Sequence, residues 1–396
     1  MKSIVKFAAF TFLAAATAAS ADTEIRFTGS TAFRSAVHAG LLNSFFTAAP
    51  KYAHSNATGL VGTASKSIWQ GSVSGISGIT TVRCTWSGSA TGIQSVTAGS
   101  NVSFLTVATL PGSPGENPSQ STSENLVANA AFSDVGQGST IFSSPTLEDT
   151  PVGVVAFTWA VNDSASAHGF DNITAQFARA LYATGSQPKS MLTGNAADTK
   201  LVYAVGRDTG SGTRITMLAE TKYGVFTPLT QFMVTAASDA VTELQVWPVA
   251  PASGGDALGG NGGYTGSSGV SGALSNKTDT SFTLKGAAGN VLGTIPSAHL
   301  VSWVGISDSN TIVTNGGARL KYEGVSYVGS ADDAKIQNGL YTAWGYQHLL
   351  SATLDTDQTA ARDALVTAID TNIGTAGVAS STMNVGRGED GGVVGP

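Results

Sequence analysis

The segment Arg207-Asp208-Thr209-Gly210-Ser211-Gly212-Thr213 holds the residue types best suited to chemistry. An arginine presents a planar fork of N–H donors that matches a tetrahedral oxyanion. Ser211 and Thr213 add hydroxyls, and Gly210 and Gly212 let the backbone approach a ligand with no Cβ in the way. A helix is expected from Arg214 to about Thr221, and its first N–H groups would point at the same place. The plain alternative is a polar loop with Arg207 in a surface ion pair.

Three further segments offer related groups. Thr28-Gly29-Ser30-Thr31-Ala32-Phe33 follows an alternating run, Thr23 to Phe27, and in isolation Ser30 or Thr31 need be no more than a helix N-cap. Gly88-Ser89-Ala90-Thr91-Gly92 repeats that turn-and-cap chemistry, and Ser72 in Gly71-Ser72-Val73-Ser74-Gly75 is a rival for the role of Ser89. Ser133-Asp134 brings an acid. Beside an anion it makes sense if the ligand still carries a proton, because a carboxylate accepts that hydrogen bond. Such an acid favours hydrogen phosphate over sulfate. Its plain alternative is a loop or N-cap aspartate.

Other chemistries have little support. His38, His54, His168, His299 and His348 show no metal-ligand spacing. There is no Gly-x-Ser-x-Gly elbow and no His-Glu-x-x-His. Gly386-x-Gly388-x-x-Gly391 has the form of a dinucleotide pattern but no strand precedes it. Cys84, the one cysteine, alternates with Val82 and Trp86 and reads as a buried strand thiol, so no disulfide forms within the chain.

The elements that must position these groups alternate. Strands are expected at 23–27, 82–86, 102–109, 131–134, 152–161, 200–205 and 300–306, and helices at 32–48, 173–182, 214–221, 339–352 and 356–372. Trp344, Tyr346 and Leu349 fall at helical spacing and read as core. Residues 253–272 read as a Gly/Ser-dense loop and the Gly-rich tail from Thr382 as loose. Alternating strands and helices imply an α/β class with mostly parallel sheets. In open sheets of that class, ligands sit at the carboxyl ends of strands.

Composition narrows the partners. The 396 residues suffice for one large or two medium domains, and 42% apolar residues supply a core. Charged residues make up 12%, about half the usual ~25%. That composition does not suit a nucleic-acid binder, which needs a basic stripe, and the net charge of −6 gives no electrostatic pull toward DNA or anionic lipid. Lys2 and Lys6, an apolar Ala8–Ala18 stretch and Ala19-Ser20-Ala21 form an expected signal peptide, 1–21. Cleavage there removes two lysines and leaves a net charge of −8. No cysteine follows the site, so no lipid anchor is indicated, and no later run suits stable membrane insertion.

In their order, these motifs resemble the periplasmic phosphate-binding proteins, the substrate-binding components of phosphate ABC importers. The resemblance spans most of the chain after the leader. It is carried by Thr28 to Phe33, Gly88-Ser89, Ser133-Asp134, Thr150-Pro151-Val152-Gly153-Val154-Val155 leading to Asn162, and Arg207 with Gly210-Ser211-Gly212-Thr213. Ser267-Ser268-Gly269-Val270 and Val304-Gly305-Ile306 are similar to the family's return segment. The first turn lacks the family's extra glycine before the threonine, and Ala90 stands where a hydroxyl or glycine is usual.

The resemblance implies a two-lobe periplasmic binding protein (type II-like) with two hinge-crossing strands, near 155–160 and 300–305. Lobe 1 would take 22–156 and return over 303–396, and lobe 2 would take 157–302. The implied ligand contacts are Ser30, Thr31, Ala32, Ser89, Asp134, Arg207, Ser211, Gly212 and Thr213. Capture would be by hinge closure around phosphate or a related oxyanion. The protein would act as a monomer in the periplasm or secreted, with no cofactor, and would hand its ligand to the importer's membrane subunits. Two other classes stay open: an envelope or surface protein reusing the scaffold without transport, and a secreted phosphatase. A neighbouring transporter operon would favour import, and turnover of a chromogenic phosphate ester would favour the enzyme.

Overall fold

Strand Thr23–Gly29 pairs in parallel with Thr80–Trp86 on one side and with Ala130–Ser133 on the other. Its alternation puts Ile25 and Phe27 into the interior, with Phe27 opposite Cys84. The structure is a computed structural model that describes residues 22–163, 168–248, 262–374 and 376–396. The expected signal peptide and residues 253–261 of the expected Gly/Ser loop lie outside the described residues. The remainder of that loop contains a helix, Ser267–Leu274.

The fold is mixed α/β, built on a sheet of thirteen strands among the described residues. Its order along the main path begins Ser186–Pro188, Leu201–Ala204, Ala298–Gly305, Glu148–Val161, Trp344–Ser351, Ala130–Ser133, Thr23–Gly29, Thr80–Trp86. Glu148–Val161 joins the two halves of this sheet. Its first part pairs antiparallel with Trp344–Ser351, down to Ala156 opposite Trp344. Its last part pairs with Ala298–Gly305, from Phe157 opposite Gly305 onward. Ten successive positions of this strand, Val152 to Val161, are buried, as an apolar, β-branched run covered on both faces should be.

Each half has its own core. Val37, Leu41, Trp69, Leu365 and Ile369 pack on the N-terminal strands. Tyr203, Val270, Leu274 and Leu300 pack on the far ones. Phe157, Trp159, Trp303, Tyr341 and Trp344 fill the middle.

Two expectations are corrected. Residues 339–352 are not helical: Trp344–Ser351 is a strand between Glu148–Val161 and Ala130–Ser133. Seven of its eight residues are buried, so its apolar positions carry no reliable period. Gly345, Gln347 and His348 are weak strand formers, and two flanking ladders override them.

The tail is not loose either. Arg387 pairs with Glu220 at 2.8 Å and lies over the Trp344 ring at 4.0 Å. Asp390 accepts hydrogen bonds from the Gly136 N–H at 2.9 Å and the Ser139 hydroxyl at 2.6 Å. Gly386 and Gly395 exchange backbone hydrogen bonds of 2.7 and 3.0 Å. Glycine content signals chain freedom only where side-chain anchors are missing, and here three segments of the body hold the tail.

Candidate functional site

Parallel neighbours end at the same edge, so the turns after Thr23–Gly29, Thr80–Trp86 and Ala130–Ser133 meet. Gly29 makes that meeting possible. Its φ is +108°, and a Cβ there would lie 2.1 Å from the Phe132 carbonyl oxygen. The turn after Leu201–Ala204 reaches the same place from the other half of the sheet.

Ser30, Ser89, Asp134 and Gly212 form one buried knot. The Ser30 hydroxyl donates to Asp134 Oδ1 and accepts from the Ala32 N–H at 3.1 Å. The Ser89 hydroxyl accepts from the Asp134 N–H at 3.1 Å. Gly212 is pressed onto both: a Cβ there would sit 2.2 Å from Ser89 Oγ and 2.9 Å from Asp134 Cβ. The Ala90 N–H, at the start of helix Ser89–Thr97, donates to the Gly210 carbonyl at 3.1 Å. The two halves therefore touch here, and protein groups fill the space beside Ser89. Ser211 caps helix Gly212–Glu220 by accepting from the Arg214 N–H at 3.4 Å. Neither Ser30 nor Thr31 caps the first helix, which starts at Arg34 with Phe33 as its N-cap. Ser72 is exposed.

Burial pushes the Asp134 carboxyl up to about 6, against the opposing pull of Ser30 and Arg207. A carboxyl raised from 3.8 to about 6 stabilises the fold fully below pH 4, and roughly 3 kcal/mol of that is lost as pH rises through 6. Asp134→Asn keeps an acceptor for Ser30 and removes the ionisation. It is expected to unfold at higher urea than the parent at pH 7.5 and at similar urea at pH 4. Equal weakening of the variant at both pH values would show an ionised, stabilising Asp134.

The remaining sequence-derived residues line a cleft of about 790 Å³. Thr31, Ala32, Arg207 and Thr213 face it, with Val155–Ala156 and Gly305–Ile306 of the crossing segments also in its lining. The Arg207 guanidinium is anchored by the carbonyls of Tyr264, at 3.1 Å from Nε, and Thr265, at 3.0 Å. Burial lowers its pKa while Asp208, Asp308 and Asp134 raise it.

Arg34 and Asp308 also line this cleft, and no sequence motif marks either of them. Arg34 opens the first helix, three residues beyond Thr31, a position from which an N-terminal side chain can reach the same turn. Asp308 sits in the first turn of helix Ile306–Thr314, directly after the second crossing strand. Burial raises the Asp308 carboxyl, and Ser267, Arg207 and Arg34 pull it down.

A second cavity, of about 1,010 Å³, lies behind the tail and includes His348, Asp149 and Asp390 in its lining. It holds none of the sequence-derived ligand residues. His348 Nδ1 contacts Asp149 there at 2.9 Å. Cys84 is fully buried, which pushes its thiol up to about 12, a structural thiol's environment. Among the described residues no helix is long and apolar enough to cross a membrane, and no cluster of His, Cys, Asp or Glu suits a metal ion.

No known family profile and no curated protein matches the chain by sequence. Among solved structures it is similar to PstS from Borrelia burgdorferi, at 12% identity, 87% coverage of this chain and 92% of that one, and a TM-score of 0.39. It is similar to the periplasmic phosphate-binding protein PfluDING, at 14% identity, 90% coverage of both chains and a TM-score of 0.40. It is also similar to the OxyR C206 mutant of Corynebacterium glutamicum, at 9% identity, 92% coverage of this chain and 69% of that one, and a TM-score of 0.38.

Proposed function

We propose that this chain is an exported solute-binding protein that captures phosphate or a similar oxyanion between two lobes by hinge closure, for delivery to an ABC importer. The observation that carries the reading is the cleft itself. Arg207 and Thr213 enter it from one half of the sheet and Arg34 and Thr31 from the other, above the strands that join the halves. Lobe 1 would comprise residues 22–156 and 303–396, and lobe 2 residues 157–302. Strands that join two lobes can flex as a hinge while each core stays rigid.

The chemistry on these walls is non-covalent. Guanidinium and hydroxyl donors replace the anion's water shell, and closure strengthens those hydrogen bonds by lowering the local dielectric. Ser30 donates to Asp134 Oδ1, so a protonated ligand would compete with Ser30 for that oxygen or use the other one.

Calorimetric titration of the ligand-free mature chain with phosphate, sulfate and arsenate tests this. The expected result is one saturable site for phosphate or arsenate per chain, with a smaller radius of gyration in the bound state. No heat from any oxyanion, in protein shown to be folded, would overturn the reading.

A further inference from the structure

We propose that the natural ligand is a phosphomonoester with a small polyhydroxylated body, whose phosphoryl group is held by Arg34 and Arg207 and whose hydroxyls are read by Asp308. The inference rests on the oxyanion reading and names its ligand class.

Size is the first argument. The halves already touch where Gly212 meets Ser89 and where the Ala90 N–H meets the Gly210 carbonyl. The cleft nonetheless retains about 790 Å³. That lies within the ~300–1,000 Å³ of pockets that enclose organic ligands, and is far more than one tetrahedral anion fills.

Charge is the second. Two guanidinium groups serve the same cleft from opposite sides. The helices starting at Ser267 and Ile306 also begin at its lining, and their N-cap residues, Gly266 and Gly305, have no side chain to satisfy the first N–H groups. Together these make a positive lining in a chain of net charge −6.

The third is the odd member, Asp308. Its charge reaches both Arg34 and Arg207, so beside the phosphoryl group it would repel a bare dianion, yet it is a strong acceptor for a neighbouring neutral hydroxyl. Ser267, Ser268, Ser271, Thr311 and Asn315 line the cleft with it, and each can donate or accept as a polyol requires. A ligand with a phosphoryl end and a hydroxyl-bearing end satisfies both chemistries at once.

The test is calorimetric titration of the mature chain with inorganic phosphate, glycerol 3-phosphate, glucose 6-phosphate, glycerol and glucose. The parent, Arg34→Ala and Asp308→Asn would be compared, with circular dichroism melting as the check on folding. At least one phosphomonoester is expected to bind tenfold or more tightly than inorganic phosphate, and the free alcohols far more weakly. Arg34→Ala should weaken ester and phosphate alike by tenfold or more. Asp308→Asn should weaken the ester by tenfold while leaving phosphate unchanged or slightly tighter. Inorganic phosphate binding as tightly as every ester would overturn the inference and leave the oxyanion reading standing. An Asp308→Asn loss shared equally by ester and phosphate would also overturn it. Absence of binding by phosphate and esters alike would defeat the oxyanion reading, and this inference with it.

Discussion

Arg207→Ala is expected to lower oxyanion affinity by about 100- to 1,000-fold, the cost of truncating one partner of a desolvated charge pair. Two carbonyls, those of Tyr264 and Thr265, hold the guanidinium in place, so its remaining N–H groups would meet an oxyanion without a large ordering cost. The charge is permanent, so the loss should be much the same from pH 5 to pH 9. Arg207→Lys restores a charge but not a fork, and should recover only part of the affinity. Calorimetry on variants with native circular dichroism measures this. Unchanged affinity in the alanine variant would place the ligand elsewhere, the second cavity behind the tail being the next region to test.

Arg387→Ala is expected to cost about 3–5 kcal/mol of stability, the penalty for leaving a buried charge without its partner. The Glu220 side chain is 8% exposed and that of Arg387 2%, so water replaces the lost contact poorly. The guanidinium also covers Trp344, so part of the loss is packing. Urea unfolding of Arg387→Ala, of Glu220→Gln and of the double variant separates the two. The double variant should be more stable than Arg387→Ala, since no orphan carboxylate remains. A loss below about 1 kcal/mol in Arg387→Ala would mean that the tail frays, as its glycine content alone suggests.

The local signals worked where they concern neighbours in the chain. The alternation of Ile25 and Phe27, the apolar run from Val152 to Val161 and the turns Gly88-Ser89 and Gly212-Thr213 are legible because side-chain spacing and capping chemistry act within a few residues. Trp344–Ser351 is not legible in the sequence, for the converse reason. Its conformation comes from two ladders formed with residues more than a hundred positions away, and propensity cannot anticipate them. The order of the tail is not legible either, since nothing near Arg387 in the sequence announces Glu220.

The candidate site divides along the same line. Residue types and order alone marked the four turns and singled out Arg207 and Asp134 as candidates for an anion's neighbours. Only the tertiary structure decided what those turns do to one another. It brought Ser30, Ser89, Asp134 and Gly212 into mutual contact, and it set Thr31, Ala32, Arg207 and Thr213 along the open cleft. It also added Arg34 and Asp308, which no motif marked. A sequence carries the chemistry of each turn, because that is local. Whether two turns meet as a contact or as a cavity depends on how far apart the sheet holds them, and that distance is set by packing summed over the whole fold.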